Sequence, residues 1–239
     1  MKSNNLLWIL KFPLVLAKTF YHKLITKLYK CNYEQHIKAV YFDPLFTDNS
    51  DKFAKYRKTV SELAWDKGKN KTVLEVATGA GWQAVSLKEA GFSKVIASDL
   101  EKRRIDYCQK NFKDFDIEWK VANLSHLPFR DGEFDVCVIS AGLHDLPREV
   151  LIKGVGELTR VASRDVVTFE PSNFPRRFIW GNLYSMLGSI LDESTHFRDF
   201  VMTDLDALFK KHTFELNQTI AIWHGLLTIK RYRKRPHNL

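Results

Sequence analysis

The sequence predicts an α/β fold, a doubly wound and mostly parallel sheet that ends in an antiparallel hairpin and is preceded by an amphipathic N-terminal helix. Three observations carry this. β-rich runs alternate with helix-period segments from about Lys52 to Phe169, the spacing of right-handed βαβ units. One of these strands runs straight into a glycine-containing turn and then a helix. Near the C-terminus, Phe214–Ile222 and Gly225–Tyr232 read as two strands reversing near Trp223-His224-Gly225. A chain of 239 residues, 45% hydrophobic and 27% charged, holds one such domain with a substantial core and a modest appendage.

The elements follow in order. A helix from about Lys52 to Trp65 precedes the first strand, Thr72–Val76, and the helix after the glycine turn reaches about Ala90. Lys94–Ser98 is the second strand and Lys102–Asn111 the next helix. Ile117–Val121, Phe134–Ile139 and Val166–Phe169 are further strands, with a helix from about Arg148 to Val161 before the last of them. A helix capped by Thr203 runs to about Lys211 and leads into the hairpin. Residues 171–199 have little strand character and many apolar side chains, among them Phe178, Trp180 and Leu187. Following the carboxyl end of a strand, this segment is expected to form an apolar lid over the ligand crevice. The expected organisation is a basic extension over 1–40 and a domain over 41–239 that carries the lid.

Charge narrows the partners. Residues 1–40 carry seven lysines and one acid, Glu34, and residues 230–239 carry five cations. With a net charge of +9, the stretch 41–229 sums to 9 − 11 = −2. A nucleic-acid enzyme spreads basic surface over its fold, whereas here only the two ends are basic. That pattern fits an anionic membrane surface at least as well. Beginning at Leu14, the residues Ala17, Phe20, Tyr21, Leu24, Ile25 and Leu28 share one helical face, with Lys18, Lys23, Lys27 and Lys30 on the other. This is the layout of a helix lying in a membrane interface, and equally of a helix packed on its own domain. The lysines leave no uncharged run of the ~20 residues that a span needs, and no signal-peptide cleavage pattern follows. Cys31, Cys108 and Cys137 are far apart without C-x-x-C spacing. The expectation is a reduced, cytoplasmic chain, peripherally associated with membrane, with no disulfide and no metal.

The chemistry sits in 73–145. Val73-Leu74-Glu75-Val76-Ala77-Thr78-Gly79-Ala80-Gly81 is a strand, a turn and the start of a helix. Gly79 and Gly81 let the backbone pass close to a ligand, with a helix N-terminus behind them. Eighteen residues past Gly81, Asp99 closes the second strand, where an acid accepts hydrogen bonds from ribose hydroxyls. A lone Gly-x-Gly is a weak signal. The same turn in register with a following strand and its terminal acid is a strong one for nucleotide binding.

Two further segments, Ala122-Asn123-Leu124-Ser125-His126-Leu127-Pro128-Phe129 and Ile139-Ser140-Ala141-Gly142-Leu143-His144-Asp145, specify the nucleotide. Here the chain resembles the Rossmann-like class I S-adenosylmethionine-dependent methyltransferases. Within that class it is most similar to the ubiquinone and menaquinone C-methyltransferases and their phospholipid-methylating relatives. The likeness covers about 41–232, and it implies that fold, with its C-terminal hairpin, and S-adenosylmethionine as cofactor. It further implies that Glu75 neighbours the methionine amino end, above a turn formed by Ala77, Thr78, Gly79 and Gly81. Asp99 holds the ribose, Leu100 packs on the adenine, Asn123 and the Leu124 backbone meet its edge, and Ser140 and Ala141 line the sulfonium side. Tyr41 and Asp43 resemble an entry segment that closes over the site.

The chain departs from that pattern at four places. Thr78 and Ala80 make the turn less glycine-rich, and Asn123 replaces the commoner Asp. A Pro-Gly-Gly turn gives way to Ala162-Ser163-Arg164-Asp165, and His144-Asp145 stands where the quinone enzymes have Arg-Asn. The last departure points away from quinone chemistry. It also supplies a candidate general base, His144, because an unperturbed imidazole titrates near pH ~6.5, with Asp145 to orient it or a water. The expected catalytic set is therefore His144, Asp145 and Tyr41.

The expected acceptor is a small amphiphilic or lipid-like molecule: a phospholipid amine, a quinone precursor, or a lipophilic thiol or phenol. Two other classes remain in view. A nucleic-acid methyltransferase would use the basic ends, but the [DN]-P-P-[YFW] motif of many base-amine enzymes is replaced by Ser140-Ala141-Gly142-Leu143. A non-catalytic cofactor-binding scaffold is the reading that a degraded glycine turn invites. The sequence assigns no oligomeric state.

Overall fold

The computed structural model describes residues 53–173, 195–222 and 225–235. The amphipathic helix, Tyr41, Asp43, residues 174–194 of the expected lid, and Trp223-His224 lie outside them. Among the described residues, helix α1 spans Ala54–Trp65, strand β1 Thr72–Val76, helix α2 Trp82–Glu89 and strand β2 Lys94–Asp99. Helix α3 (Lys102–Asn111), strand β3 (Glu118–Val121), strand β4 (Phe134–Ser140), helix α4 (Arg148–Val161) and strand β5 (Ala162–Pro171) follow. Helices α5 (Phe197–Val201) and α6 (Leu205–Lys211) then lead into strands β6 (Phe214–Ile222) and β7 (Leu227–Lys234).

The seven strands form one sheet in the order β3-β2-β1-β4-β5-β7-β6. β1 to β5 pair in parallel, and β7 inserts antiparallel between β5 and β6. Both faces of the sheet are covered, which is why its central strands are apolar at successive positions rather than at alternate ones. Val73, Val95, Ala97, Val136, Val138 and Val167 face one layer with Val60, Leu63 and Ala64 of α1 and Ala84 and Leu87 of α2. Leu74, Ile96, Cys137, Ile139 and Val166 face the other, with Leu151, Val155 and Leu158 of α4 and Phe200, Leu205 and Phe209 of α5 and α6.

Three sequence expectations shift. β5 begins at Ala162, directly on the end of α4, and continues through Glu170 to Pro171. Ala162-Ser163-Arg164-Asp165 lacks the apolar pattern of a strand, yet it joins one because Asp165 is fully buried in an ion pair made by β7. The cap of α6 is Asp204, whose side chain accepts from the Ala207 N–H. Thr203 does not cap it, because its hydroxyl donates to the Asp199 carbonyl at 2.7 Å. The expected lid boundaries also move inward. Pro171 belongs to β5, and Phe197 and Phe200 of α5 are core residues. Ser172 and Asn173 tie the start of the segment down, to the Gly225 and Phe200 carbonyls.

The C-terminal cations are built into the fold. Arg233 makes a two-pronged contact with Asp165 (2.8 and 3.0 Å) and another with Asp66 (2.8 Å). Arg231 meets Asp66 at 3.0 Å, Lys230 meets Asp206 at 2.8 Å, Arg235 pairs with Glu215, and Lys234 lies over the Phe214 ring. Burial raises the pKa of Asp66, but hydrogen bonds from Arg233 and Arg231 outweigh it and hold the carboxyl below its usual range. These charges fix the hairpin on the sheet, so the basic C-terminus is no loose cationic tail. Asp165→Ala strands the partly exposed Arg233 and the buried Asn70 amide, which donates to Asp165 at 3.1 Å. The expected loss is about 2–3 kcal/mol, read from urea unfolding.

Candidate functional site

The parallel register sets Val76 of β1 beside Ser98 of β2 and Ile139 of β4, and Ser140 beside Phe169 of β5. The carboxyl ends of four strands are therefore level. The strand order reverses between β1 and β4, the point at which open α/β sheets leave a crevice for ligands. Glu75, Ala77, Thr78, Gly79, Gly81, Asp99, Leu100, Ser140, Ala141 and His144 all reach this edge. Asn123 and Leu124 follow β3 on the same edge.

The turn after β1 is shaped residue by residue. Ala77, Gly79 and Gly81 all have positive φ (57°, 55° and 82°). A Cβ on Gly81 would come within 2.9 Å of Cys108, Phe112 and Trp119, so this glycine serves packing. A Cβ on Gly79 would meet nothing within 4 Å. That open space is where a ligand can approach the backbone. The Gly79 N–H donates to Asp99 at 3.0 Å, and the other Asp99 oxygen accepts from the Glu101 N–H at 3.0 Å. The first of these oxygens also meets Arg104 at 3.5 Å, and the second retains a lone pair for a ribose hydroxyl. Beside them Leu100 is 65% exposed and Val121 51%, two apolar side chains with no covering element among the described residues.

The loop after β4 is the other wall. Ala141 has φ 54° and donates its N–H to the Phe169 carbonyl at 2.7 Å. Gly142 fits against the Ala77 methyl, which an added Cβ would approach to 2.9 Å. The Ser140 hydroxyl is buried with no hydrogen-bond partner among the described residues. His144 is nearly buried, with its Nδ1 2.7 Å from Glu170 and its Nε2 3.6 Å from the exposed Asp145. The rings of Phe197 and Phe200 stand edge-on to the imidazole.

Two residues at the site escaped sequence reasoning. Glu170 is buried at the end of β5; an acid between Phe169 and Pro171, one residue past the expected strand, was the available signal. Arg57 of α1 is buried with its guanidinium 6.0 Å from the Trp82 ring at the start of α2. Its helix reads from the sequence as an ordinary amphipathic one. Elsewhere the edge is less prepared. Asn123 turns its Oδ1 inward to the Ser125 N–H at 2.9 Å, and the Leu124 side chain packs under Gly154 of α4.

These features together fit S-adenosylmethionine. An acid lies deep beside an open turn, a second acid ends β2, and an uncovered apolar platform adjoins it. The residues that would hold the group are Glu75, the 77–81 turn, Asp99, Leu100 and Ser140. Among the described residues no three His, Cys, Asp or Glu side chains converge as a metal site.

Glu75 is 1% exposed, and the Thr78 hydroxyl donates to it at 2.5 Å. Burial pushes its pKa up to about 8; Thr78, Arg57 and the Ala84 N–H oppose this, while Asp99 adds to it. The folded state thus binds a proton that the unfolded chain has lost above its ordinary range, near 4.5. Stability from this group is present at low pH and disappears as pH rises through that range to about 8. Thermal unfolding of the ligand-free protein is expected to show this decline between pH 5 and 8, and Glu75→Gln to flatten it.

Residues 73–165 match a family model described as a methyltransferase domain. Over 94 residues the chain is 29% identical to a ribosomal protein L11 methyltransferase of Thermotoga maritima, covering 39% of this chain and 34% of that protein. Over 92 residues it is 33% identical to a demethylmenaquinone methyltransferase of Clavibacter sepedonicus, covering 37% and 36%. The chain thus spans about a third of the length of these relatives. Among solved structures it is similar to magnesium protoporphyrin IX methyltransferase from Synechocystis with bound S-adenosylhomocysteine, at a TM-score of 0.58 and 14% identity over 80% of this chain and 91% of that one. The strand order, the site edge and these likenesses agree: residues 73–165 match a methyltransferase domain, and the chain has the class I fold of the solved methyltransferases it resembles.

Proposed function

We propose that this protein transfers a methyl group from S-adenosylmethionine to a small amphiphilic acceptor. One observation carries the reading: β1, β2 and β4 end level, so the Glu75–Gly81 turn and Asp99 share an edge with the loop bearing His144. Glu75 takes the cofactor's ammonium and Arg57, beside it on α1, its carboxylate. Asp99 takes the ribose, and Leu100 and Val121 cover the base. Bound S-adenosylmethionine supplies a methyl already activated on a sulfonium. What is left to the protein is alignment, which contributes as much as ~7–11 kcal/mol for well-oriented pairs, and removal of a proton. His144 is the base in this reading.

The amphiphilic acceptor is supported by the basic face of the Leu14–Lys30 helix pattern and by the apolar composition of 171–199. The use of the C-terminal cations inside the fold weighs against a nucleic-acid substrate, which would need them on the surface. Among the described residues no helix is long and apolar enough to cross a membrane. Contact with a membrane then falls to the N-terminal lysines. Full-length protein is expected to sediment with anionic vesicles at low salt, and replacement of Lys18, Lys23, Lys27 and Lys30 by Glu to abolish this without changing cofactor affinity. Wild-type protein that stays in the supernatant removes the membrane from the reading.

The cofactor assignment is tested with S-adenosylhomocysteine and methylthioadenosine, which lacks the amino-acid end. Calorimetry is expected to show that Arg57→Met weakens S-adenosylhomocysteine binding roughly 10–100-fold, the scale of a lost charge-assisted hydrogen bond. Methylthioadenosine binding is expected to stay the same. An equal loss for both ligands makes Arg57 a structural residue, and no binding of either by the wild type overturns the methyltransferase reading.

A further inference from the structure

We infer that Glu170 is a positioning residue for His144, and that the pair selects an acceptor whose nucleophile is a hydroxyl oxygen. The inference rests on the methyl-transfer reading above and extends it to the class of acceptor.

The geometry begins with a carboxylate that has no exposed face. Glu170 is 2% exposed, and both of its oxygens are committed. One accepts the N–H groups of Gly142 (2.9 Å) and Leu143 (2.8 Å), and the other lies 2.7 Å from His144 Nδ1. A single carboxylate therefore fixes the backbone of the β4 loop and the ring that the loop carries. A carboxylate only accepts, so Nδ1 holds the ring proton and the lone pair of the neutral imidazole is at Nε2. The ring plane is set as well, because the Phe197 and Phe200 centroids both lie 6.2 Å away at interplanar angles of 80° and 68°. Among the described residues, Glu170 faces Nδ1, Asp145 faces Nε2, and α5 presents two phenyl rings to the imidazole.

A histidine that merely fills a core does not need this arrangement. Burying a carboxylate is expensive, and an apolar residue or a neutral amide would anchor a loop at less cost. What a neutral amide cannot do is hold the Nδ1–H tautomer and stabilise the imidazolium that forms when Nε2 accepts a proton.

That requirement identifies the acceptor. A thiol, with an ordinary pKa near ~8.5, supplies its own anion at neutral pH, whereas a phenolic hydroxyl near ~10 keeps its proton. An alkyl ammonium gives up its proton to solvent before its lone pair attacks, and the nitrogen sheds a second proton afterwards. The hydroxyl, whose proton leaves as its oxygen attacks, gains most from a base held in one tautomer. The acceptor O–H proton passes to Nε2. The oxygen's electron pair forms the new bond to the methyl carbon, and the bond from that carbon to sulfur breaks with both electrons remaining on sulfur. The proton then leaves the imidazolium for solvent.

The experiment uses full-length protein saturated with S-adenosylhomocysteine and nitrogen-15 NMR of the histidine rings. The Nδ1–H tautomer is expected for His144 in the wild type. In Glu170→Gln the amide nitrogen faces Nδ1 and shifts the ring to the Nε2–H form, while the amide oxygen still receives the Gly142 and Leu143 N–H groups. An Nε2–H tautomer in the wild type overturns the inference, and that spectrum decides even if the variant does not fold. In single-turnover assays with labelled S-adenosylmethionine, para-octylphenol is expected to be methylated on oxygen. Glu170→Gln and His144→Ala should each slow this by roughly 10²–10⁴-fold with S-adenosylhomocysteine affinity unchanged. Methylation of para-octylthiophenol alone, or a phenol rate indifferent to both substitutions, overturns it. Wild-type protein that fails to bind S-adenosylhomocysteine defeats the methyl-transfer reading itself, a result separable from any of these.

Discussion

The site depends on two alanines held in a conformation that alanine avoids. Ala77 and Ala141 leave β1 and β4, adjacent strands, with φ of 57° and 54°. A left-handed residue other than glycine costs roughly 1–2 kcal/mol, so each needs surroundings that over-determine it. Here they have them. The Thr78 N–H donates to the Ser98 carbonyl and the Ala141 N–H to the Phe169 carbonyl, so each turn is stitched to the neighbouring strand. Gly142 then lies against the Ala77 methyl, and Glu170 draws in the next two backbone N–H groups. The two turns support one another across the crevice. A change in either alters the wall that the other forms.

The same sheet handles its ions in two ways. At the amino edge and in the hairpin, Asp165 and Asp66 pair with Arg231 and Arg233, and for Asp66 the pairing outweighs burial and holds its pKa below the usual range. At the carboxyl edge Glu75 is buried with a hydroxyl for company, and its charged form is disfavoured. A fold under selection for stability alone would not put an acid there. In the proposed reading an ammonium brought to Glu75 would stabilise its charged form, and part of the binding energy would go into drawing off the proton. Both thiols among the described residues, by contrast, are pushed upward by burial, which disfavours the thiolate.

Period and punctuation made most of the fold legible. Thr72–Val76, Lys102–Asn111 and Arg148–Val161 lie where apolar spacing and flanking residues put them, and the hairpin follows β-rich composition. β5 was the exception at both ends. Ser163, Arg164 and Asp165 resemble a turn until Arg233, 68 residues away, gives Asp165 its partner. Glu170 looks like the end of a strand until the loop of His144 closes on it. Both errors come from charge read locally, when the partner that makes burial tolerable is remote in sequence. For the same reason the C-terminal cations looked like a free tail. Arg57 hid differently, since a cation on an amphipathic helix is expected to face solvent and this one does not.

The glycine turn shows that counting glycines misjudges such a loop. Its three positive-φ positions ask for different things. At 81 a side chain has no room, so only glycine serves. At 79 an added Cβ would meet nothing within 4 Å, which leaves room for a ligand beside the backbone. At 77 a methyl is accommodated against Gly142, and the strain is absorbed by the stitched turn. Thr78 and Ala80, which make the motif look eroded, are both buried, and the Thr78 hydroxyl donates to the acid proposed to meet the cofactor. Erosion of a binding site removes the interactions that its strain exists to support. Here the strain, the buried acid and the dyad behind His144 persist together, as expected of a loop adjusted to a particular ligand. That combination is the physical argument against an inert scaffold.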